Sequence, residues 1–381
     1  MSDTALFEKT IAHYLAPITA YLEDTQVAEV MCNNFEEVYI EKGGKILKTE
    51  ARFPDVEAYE AAVNNILQYT GKSINDEDFL VDTRLPDGSR VHVAKAPCAR
   101  FGMAMTIRKF AKTMLDVDWL VHIGSLSEAA AEYMKVAINN EQNMLVAGGT
   151  SSGKTSLLNA LSHYIPAGQR IVVIEDSAEL QLQQDHVISL EAKAADSHGR
   201  GAVKIRNLFR SSLRLRPDRI IIGEVRGEEA LDMIQAMTSG HGGSMGTLHA
   251  NNAFDALNRL ETMALMSEVK LPLSALRSQV SSAIDVIVQL VRQVGGYRQV
   301  TQIAEVAPLD KEGHYAIRDI FNLQPGTNDE GHQAMQLKAT GERSAMAGHL
   351  KAGMENLVTE RTAEIFEMDL KTMKKTAKAG E

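Results

Sequence analysis

The stretch NMLVAGGTSSGKTSLLNA, from Asn143 to Ala160, brings glycines, a lysine and hydroxyls together in an order suited to holding phosphates. Gly148–Thr155 fits the pattern G-x-x-x-x-G-K-[ST], with an apolar strand-like run before it and a helix-like run after it. Glycines let successive backbone N–H groups turn inward around β- and γ-phosphates, and the following helix aims its positive end at them. Lys154 would bring a cation to the terminal phosphates, and the Thr155 hydroxyl a ligand for Mg²⁺. The nucleotide-binding set read from this segment is Gly148, Gly149, Thr150, Ser151, Ser152, Gly153, Lys154, Thr155 and Ser156.

A phosphate loop that hydrolyses ATP also needs carboxylates. RIIIGEVRG (Arg219–Gly227) is an apolar run ending in Glu224, placed to reach Mg²⁺ or to orient the attacking water, while Gly223 leaves room for the nucleotide. RIVVIEDSAEL (Arg170–Leu180) runs directly into Glu175, Asp176 and Glu179. Strand C-termini of open α/β sheets face the ligand crevice, so these acids are candidates for the metal site. They could instead be charge at a helix N-terminus beginning at Ser177. In GHGGSMGTLHANN (Gly240–Asn252), His249 at a strand end could hydrogen-bond a γ-phosphate or be a satisfied histidine, and His241 reads as a turn residue.

GRGAVKIRNLFRSSLRLRPDR (Gly199–Arg219) carries seven Lys/Arg against one Asp. Helical spacing would put Arg206, Arg210 and Arg214 on one face. That face could be solvated, could point at a neighbouring subunit or its phosphates, or could contact DNA.

The elements that must position these residues follow from the rest of the pattern. A chain of 381 residues is long enough for two domains plus extensions. Residues 1–110 mix helical and extended patterns, predicting an α+β domain: helices at Ile11–Leu22 and Val56–Gly71, a hairpin turning at Gly43-Gly44, and strands around Val81–Pro97 and Met103–Phe110. Residues 111–126 read as a linker and hinge. Residues 127–325 alternate apolar strands with helices, predicting an α/β domain with a mostly parallel sheet around the phosphate loop. Residues 326–381 read as a helical extension, with a helix at Gly348–Phe366 and a frayed Lys-rich end.

Composition excludes several classes. Forty Lys+Arg against fifty Asp+Glu give −10, which argues against a nucleic-acid partner. Two cysteines, Cys32 and Cys98, lack companions at metal-ligand spacing, so no zinc site and a reducing compartment are expected. The acidic start does not resemble a signal peptide, and no apolar run has the length of a membrane span.

With these segments in order, the sequence resembles the type II/type IV secretion ATPase superfamily, and its CpaF-like branch for Tad/Flp pilus assembly in particular. EEVYIEKGG, VDTRLPDGSRV, TIRKF, GGTSSGKTSLLNAL, RIVVIEDSAELQLQQ, LRLRPDRIIIGEVRGEEALDMIQAM and DALNRLETMALM carry the resemblance, over about residues 15–370. It implies that residues 127–325 form a RecA-like P-loop ATPase domain, and that the protein is an ATP- and Mg²⁺-dependent hexamer, cytoplasmic and peripheral on the inner membrane, acting on platform proteins there. It implies further that Glu224 activates water, that Glu175 and Glu179 belong to an acid box, and that His249 belongs to a His box. It also implies that Arg90 (in DGSRV) and Arg108 (in TIRKF) reach the nucleotide, although each could be a solvated strand-end charge. A DNA-translocating motor and a nucleotide-controlled scaffold are the rival readings. Ser151 stands where the family usually has glycine; a left-handed backbone there would cost about 1–2 kcal/mol. The tetracysteine zinc insert of some relatives is absent, and the short leading region argues against a separate docking module.

Overall fold

The computed structural model describes residues 3–75, 78–110, 115–193, 195, 199–327 and 333–369. Two compact units divide the chain close to residue 113. In the first, helices α1 (Asp3–Tyr14) and α2 (Thr19–Glu23) precede strands β1 (Val27–Cys32), β2 (Val38–Lys42) and β3 (Lys45–Lys48). Helix α3 (Val56–Tyr69) then leads to β4 (Leu80–Arg84), β5 (Arg90–Ala94) and β6 (Ala104–Arg108). The six strands form one antiparallel sheet in the order β3-β2-β1-β6-β5-β4.

Local chemistry explains these elements. Gly43 and Gly44 have φ of +56° and +76°, the pair of left-handed residues that a two-residue hairpin between β2 and β3 requires. In α3 the Asp55 carboxylate accepts from Ala58 N–H at 2.7 Å, capping the helix. Tyr59, Ala62, Val63, Ile66 and Leu67 then recur at helical spacing and bury one face in the core of this unit. The expected α+β arrangement of the first hundred residues is present.

The second unit begins with α4 (Val117–His122) and α5 (Glu128–Asn139). There follow β7 (Met144–Gly148), α6 (Lys154–Ser162), β8 (Ile171–Glu175), β9 (Val187–Glu191), α7 (Ile205–Ser212), β10 (Arg219–Ile222), α8 (Glu229–Thr238), β11 (Met245–Leu248), α9 (Ala253–Leu265) and α10 (Leu273–Ala283). The strands β12 (Val286–Arg292), β13 (Arg298–Ala307), β14 (Ala316–Thr327) and β15 (Gln333–Ala339) complete it. Its nine strands run in the order β15-β14-β13-β12-β7-β11-β10-β8-β9. From β12 to β9 the neighbours are parallel; β12 to β15 form an antiparallel meander. Every residue of β7, β8, β10 and β11 is buried, because helices cover both faces.

Three expectations are corrected. Residues 115–126 are not a free linker: α4 forms there, and Val117, Leu120 and Leu126 enter the core of the second unit. Residues 111–114, where a hinge was expected, and the Lys-rich end at 370–381 lie outside the described residues. Residues 326–327 and 333–339 lie in the antiparallel strands β14 and β15, and Gly348–Phe366 contains short 3-10 turns where a helix was expected. The cause is local and long-range together. Gly353 has φ +86°, and the Thr362 hydroxyl accepts from Thr359 N–H, an alternative to helical bonding. Buried Glu305 then accepts from Tyr133 OH at 2.8 Å, from Ala345 N–H at 2.7 Å and from the Ser344 hydroxyl, fixing the path on which Met346, Val358, Ile365 and Phe366 are buried.

Candidate functional site

The phosphate loop lies between β7 and α6, and its shape depends on two glycines and a serine. A Cβ at Gly148 would fall 2.5 Å from Ser152 Oγ and 2.6 Å from Leu290 O, so only hydrogen fits. Gly153 has φ +97°, and Ser151 has φ +56°. The expected strain at Ser151 is therefore real: a side chain sits where glycine is favoured. Buried Ser152 turns its hydroxyl to Gly149 O at 2.9 Å, so it closes the loop. Lys154, buried at the first position of α6, donates to Gly148 O at 3.1 Å and Gly149 O at 2.9 Å. Thr155 follows it, partly exposed; Ser156 is exposed, as are Gly149 and Thr150 at the loop's edge. No side chain caps the first turn of α6, so its N–H groups are unclaimed by a cap.

The carboxylates gather at the C-terminal ends of β8 and β10. Arg226 donates to Asp176 Oδ2 at 2.7 Å and to Glu224 Oε2 at 2.5 Å, and hydrogen bonding from Glu224 is the main reason its guanidinium pKa is raised. His249 Nε2, just beyond β11, lies 2.7 Å from Glu224 Oε1, near enough for an ion pair. Among the described residues, Oε1 is a buried oxygen with no hydrogen-bond donor assigned to it. Burial first, and the Lys154 charge second, hold the His249 pKa below its usual value. β11 pairs in register with β7, Leu248 beside Ala147, which puts the His249–Glu224 pair by the phosphate loop. The structure thus brings Asp176, Glu224, His249 and Lys154 together.

Glu175 has a different setting. It is buried, and its Oε1 accepts from Glu179 N–H and Leu180 N–H, both at 2.9 Å. It therefore shapes the turn that carries Glu179, and no helix starts at Ser177. Burial pushes its carboxyl up to about 7, against the two N–H bonds. Gly223 bears on the same residue: a Cβ there would be 2.8 Å from Glu175 Cγ, so its missing side chain makes room for Glu175.

Arg90 and Arg108 face one another across β5 and β6, and Arg84 on β4 is opposite Arg90. Glu29 on β1 is the partner of Arg108 on the other side. Three arginines therefore share one sheet face in a cross-strand row, which the Glu29 carboxylate continues on the Arg108 side. Sequence reasoning missed Arg84, although it lies in the quoted VDTRLPDGSRV. It missed Arg226 too, two residues beyond Glu224. The arginine-rich segment is corrected. α7 ends at Ser212, before Arg214, and Arg206 pairs with Glu228 and, at 2.8 Å, with Asp232. Arg210 bonds Asp232 at 3.0 Å, so this face is neutralised by α8 within the same unit. Arg219 is fully buried, donating to Gln169 and Ile138 O.

The residues fit a magnesium triphosphate: a glycine cradle that a Cβ would fill, an uncapped helix start with a lysine, and an orphaned carboxylate oxygen. The Type II/IV secretion system protein family matches residues 12–312. The chain belongs to this family. This secretion-family chain is similar to a putative conjugal transfer protein of Mycobacterium tuberculosis, 30% identical over 342 residues, covering 87% of this chain and 95% of that one. It is similar to the type IV secretion system protein PtlH of Bordetella pertussis, 31% identical over 313 residues, covering 76% and 92%. In fold it is similar to the pilus retraction motor PilT with bound ADP, with TM-score 0.55 and 19% identity, covering 78% and 83%. Among the described residues, no helix is long and apolar enough to cross a membrane.

Proposed function

We propose that the chain hydrolyses ATP with Mg²⁺ and, as a hexamer, turns that hydrolysis into mechanical work for a Tad/Flp-type pilus or a related secretion machine. The observation that carries the reading is the Glu224 carboxylate, held by Arg226 on one oxygen and approached by His249 at 2.7 Å on the other, at the sheet end that carries the phosphate loop. A fixed carboxylate can orient a water and receive its proton. Lys154 moves positive charge to the phosphates and leaves the loop carbonyls it now holds. His249, kept neutral by burial and by Lys154, donates or accepts one hydrogen bond without adding charge. Bound Mg²⁺ would supply positive charge to the phosphate oxygens, and the Thr155 hydroxyl with the carboxylates of Asp176 and Glu224 would hold it, supported by the acids Glu175 and Glu179.

Arg90 and Arg108, with Arg84, supply the cationic charge that completes the transition state, a contribution typically worth about 10³–10⁵ in rate. Replacing Arg108 with alanine should lower steady-state phosphate release at least tenfold; activity near wild type would remove Arg108 from the mechanism. The motor works at the cytoplasmic face of the inner membrane against platform proteins of the CpaF type of machine. A second reading, a DNA-translocating conjugation motor, gains from the name of the Mycobacterium tuberculosis relative. The net charge of −10 opposes it. Phosphate release stimulated by anionic liposomes and indifferent to duplex DNA supports the pilus reading, whereas salt-sensitive stimulation by DNA supports the other.

A further inference from the structure

Ser151 is held in a left-handed conformation that its side chain disfavours, and one side chain from a distant hairpin touches both left-handed residues of the loop. Arg298, the first residue of β13, donates from Nε to Ser151 O at 3.0 Å. Fixing that carbonyl fixes the peptide joining Ser151 to Ser152, and with it the ψ angle of Ser151. The stem of the same side chain lies against Gly153: a Cβ there would be 3.2 Å from Arg298 Cδ. Gly153 precedes Lys154, so the brace spans the stretch from the strained serine to the residue that carries the cation.

The hairpin is itself anchored to the segment entering the second unit. Tyr297 OH donates to Ile123 O at 2.9 Å, Val300 N–H to Ser125 O at 2.9 Å, and the Ser125 hydroxyl to Arg298 O. Arg298 therefore stands on a fixed base.

We propose that Arg298 is a positioning residue that braces the phosphate loop in the conformation Ser151 must adopt, replacing the backbone freedom a glycine would give. The inference rests on the nucleotide reading of this loop and concerns how its geometry is kept, not the chemistry. An arginine guanidinium at the surface contributes little to stability as such. Its effect should appear in nucleotide affinity, and only while residue 151 carries a side chain.

The test is a double-mutant cycle of Arg298→Ala and Ser151→Gly, read by equilibrium binding of trinitrophenyl-ATP. Arg298→Ala should weaken binding about tenfold in the wild-type background and at most about twofold beside Ser151→Gly, a coupling in the range such cycles resolve. Equal losses in both backgrounds, or no loss in the wild type, would overturn the proposal. If the alanine variant does not fold, Arg298→Met keeps the stem on Gly153 and removes only the donor. Amide hydrogen exchange at Ser152–Lys154 repeats the cycle without ligand: exchange should speed up in Arg298→Ala and return toward wild type when Ser151→Gly is added. Absence of any binding by the wild type would defeat the nucleotide reading, and the exchange cycle would still decide the brace.

Discussion

On the proposed function, Glu224 and Lys154 separate holding a nucleotide from cleaving it. Glu224 is bound by Arg226 and approached by His249. Glu224→Gln keeps the shape and removes the proton acceptor, so nucleotide affinity should stay within a few-fold of wild type. Phosphate release should fall by about 10²–10⁴, the usual contribution of a positioned general base. Lys154→Ala acts on the other half: it removes the cation and the two bonds to Gly148 O and Gly149 O. Equilibrium binding of ATP should then be lost over the range where wild type saturates.

Elements carry the next set of effects, because Gly223 and Asp285 act through strands. At Gly223 a Cβ would press on Glu175 Cγ at 2.8 Å. Gly223→Ala should therefore displace the turn after β8 and lower stability by about 1–3 kcal/mol in denaturant titration, the usual cost of overpacking. Asp285, at the entry to β12, accepts from Asn143 N–H at 2.7 Å. Burial, opposed by that bond and reinforced by Glu305, pushes its carboxyl up to about 6 from 3.8. The folded chain binds this proton more tightly than the unfolded one. The resulting stabilisation is complete below pH about 3.8 and is lost as pH rises through about 6. Asp285→Asn cannot ionise, so its Tm should rise relative to wild type between pH about 4 and 7; a constant difference would contradict the assignment.

The same scale shows what the sequence disclosed. The strands that bear Glu224 and Glu175 are apolar runs buried on both faces, and the phosphate loop is defined by glycine spacing; both are local signals. The brace is not, since Arg298 and Ser151 are 147 residues apart. Arg206 and Arg210 had the right spacing for an exposed cationic face, but the acids that neutralise them come from α8, 22 residues or more away. Gly348–Phe366 has helix-forming composition; buried Glu305, outside any local window, ties down its start instead.

For the whole molecule, the proposed function requires a ring of six copies. Light scattering should show six-copy assemblies that form or tighten on adding ATP; a monomer at every protein concentration would contradict the ring. The most direct test is phosphate release by the purified chain with ATP and Mg²⁺, measured beside Glu224→Gln at matched nucleotide occupancy. The account predicts sustained turnover by the wild type and near-silence from the variant; equal rates, or no release from a wild type that binds ATP, would contradict it.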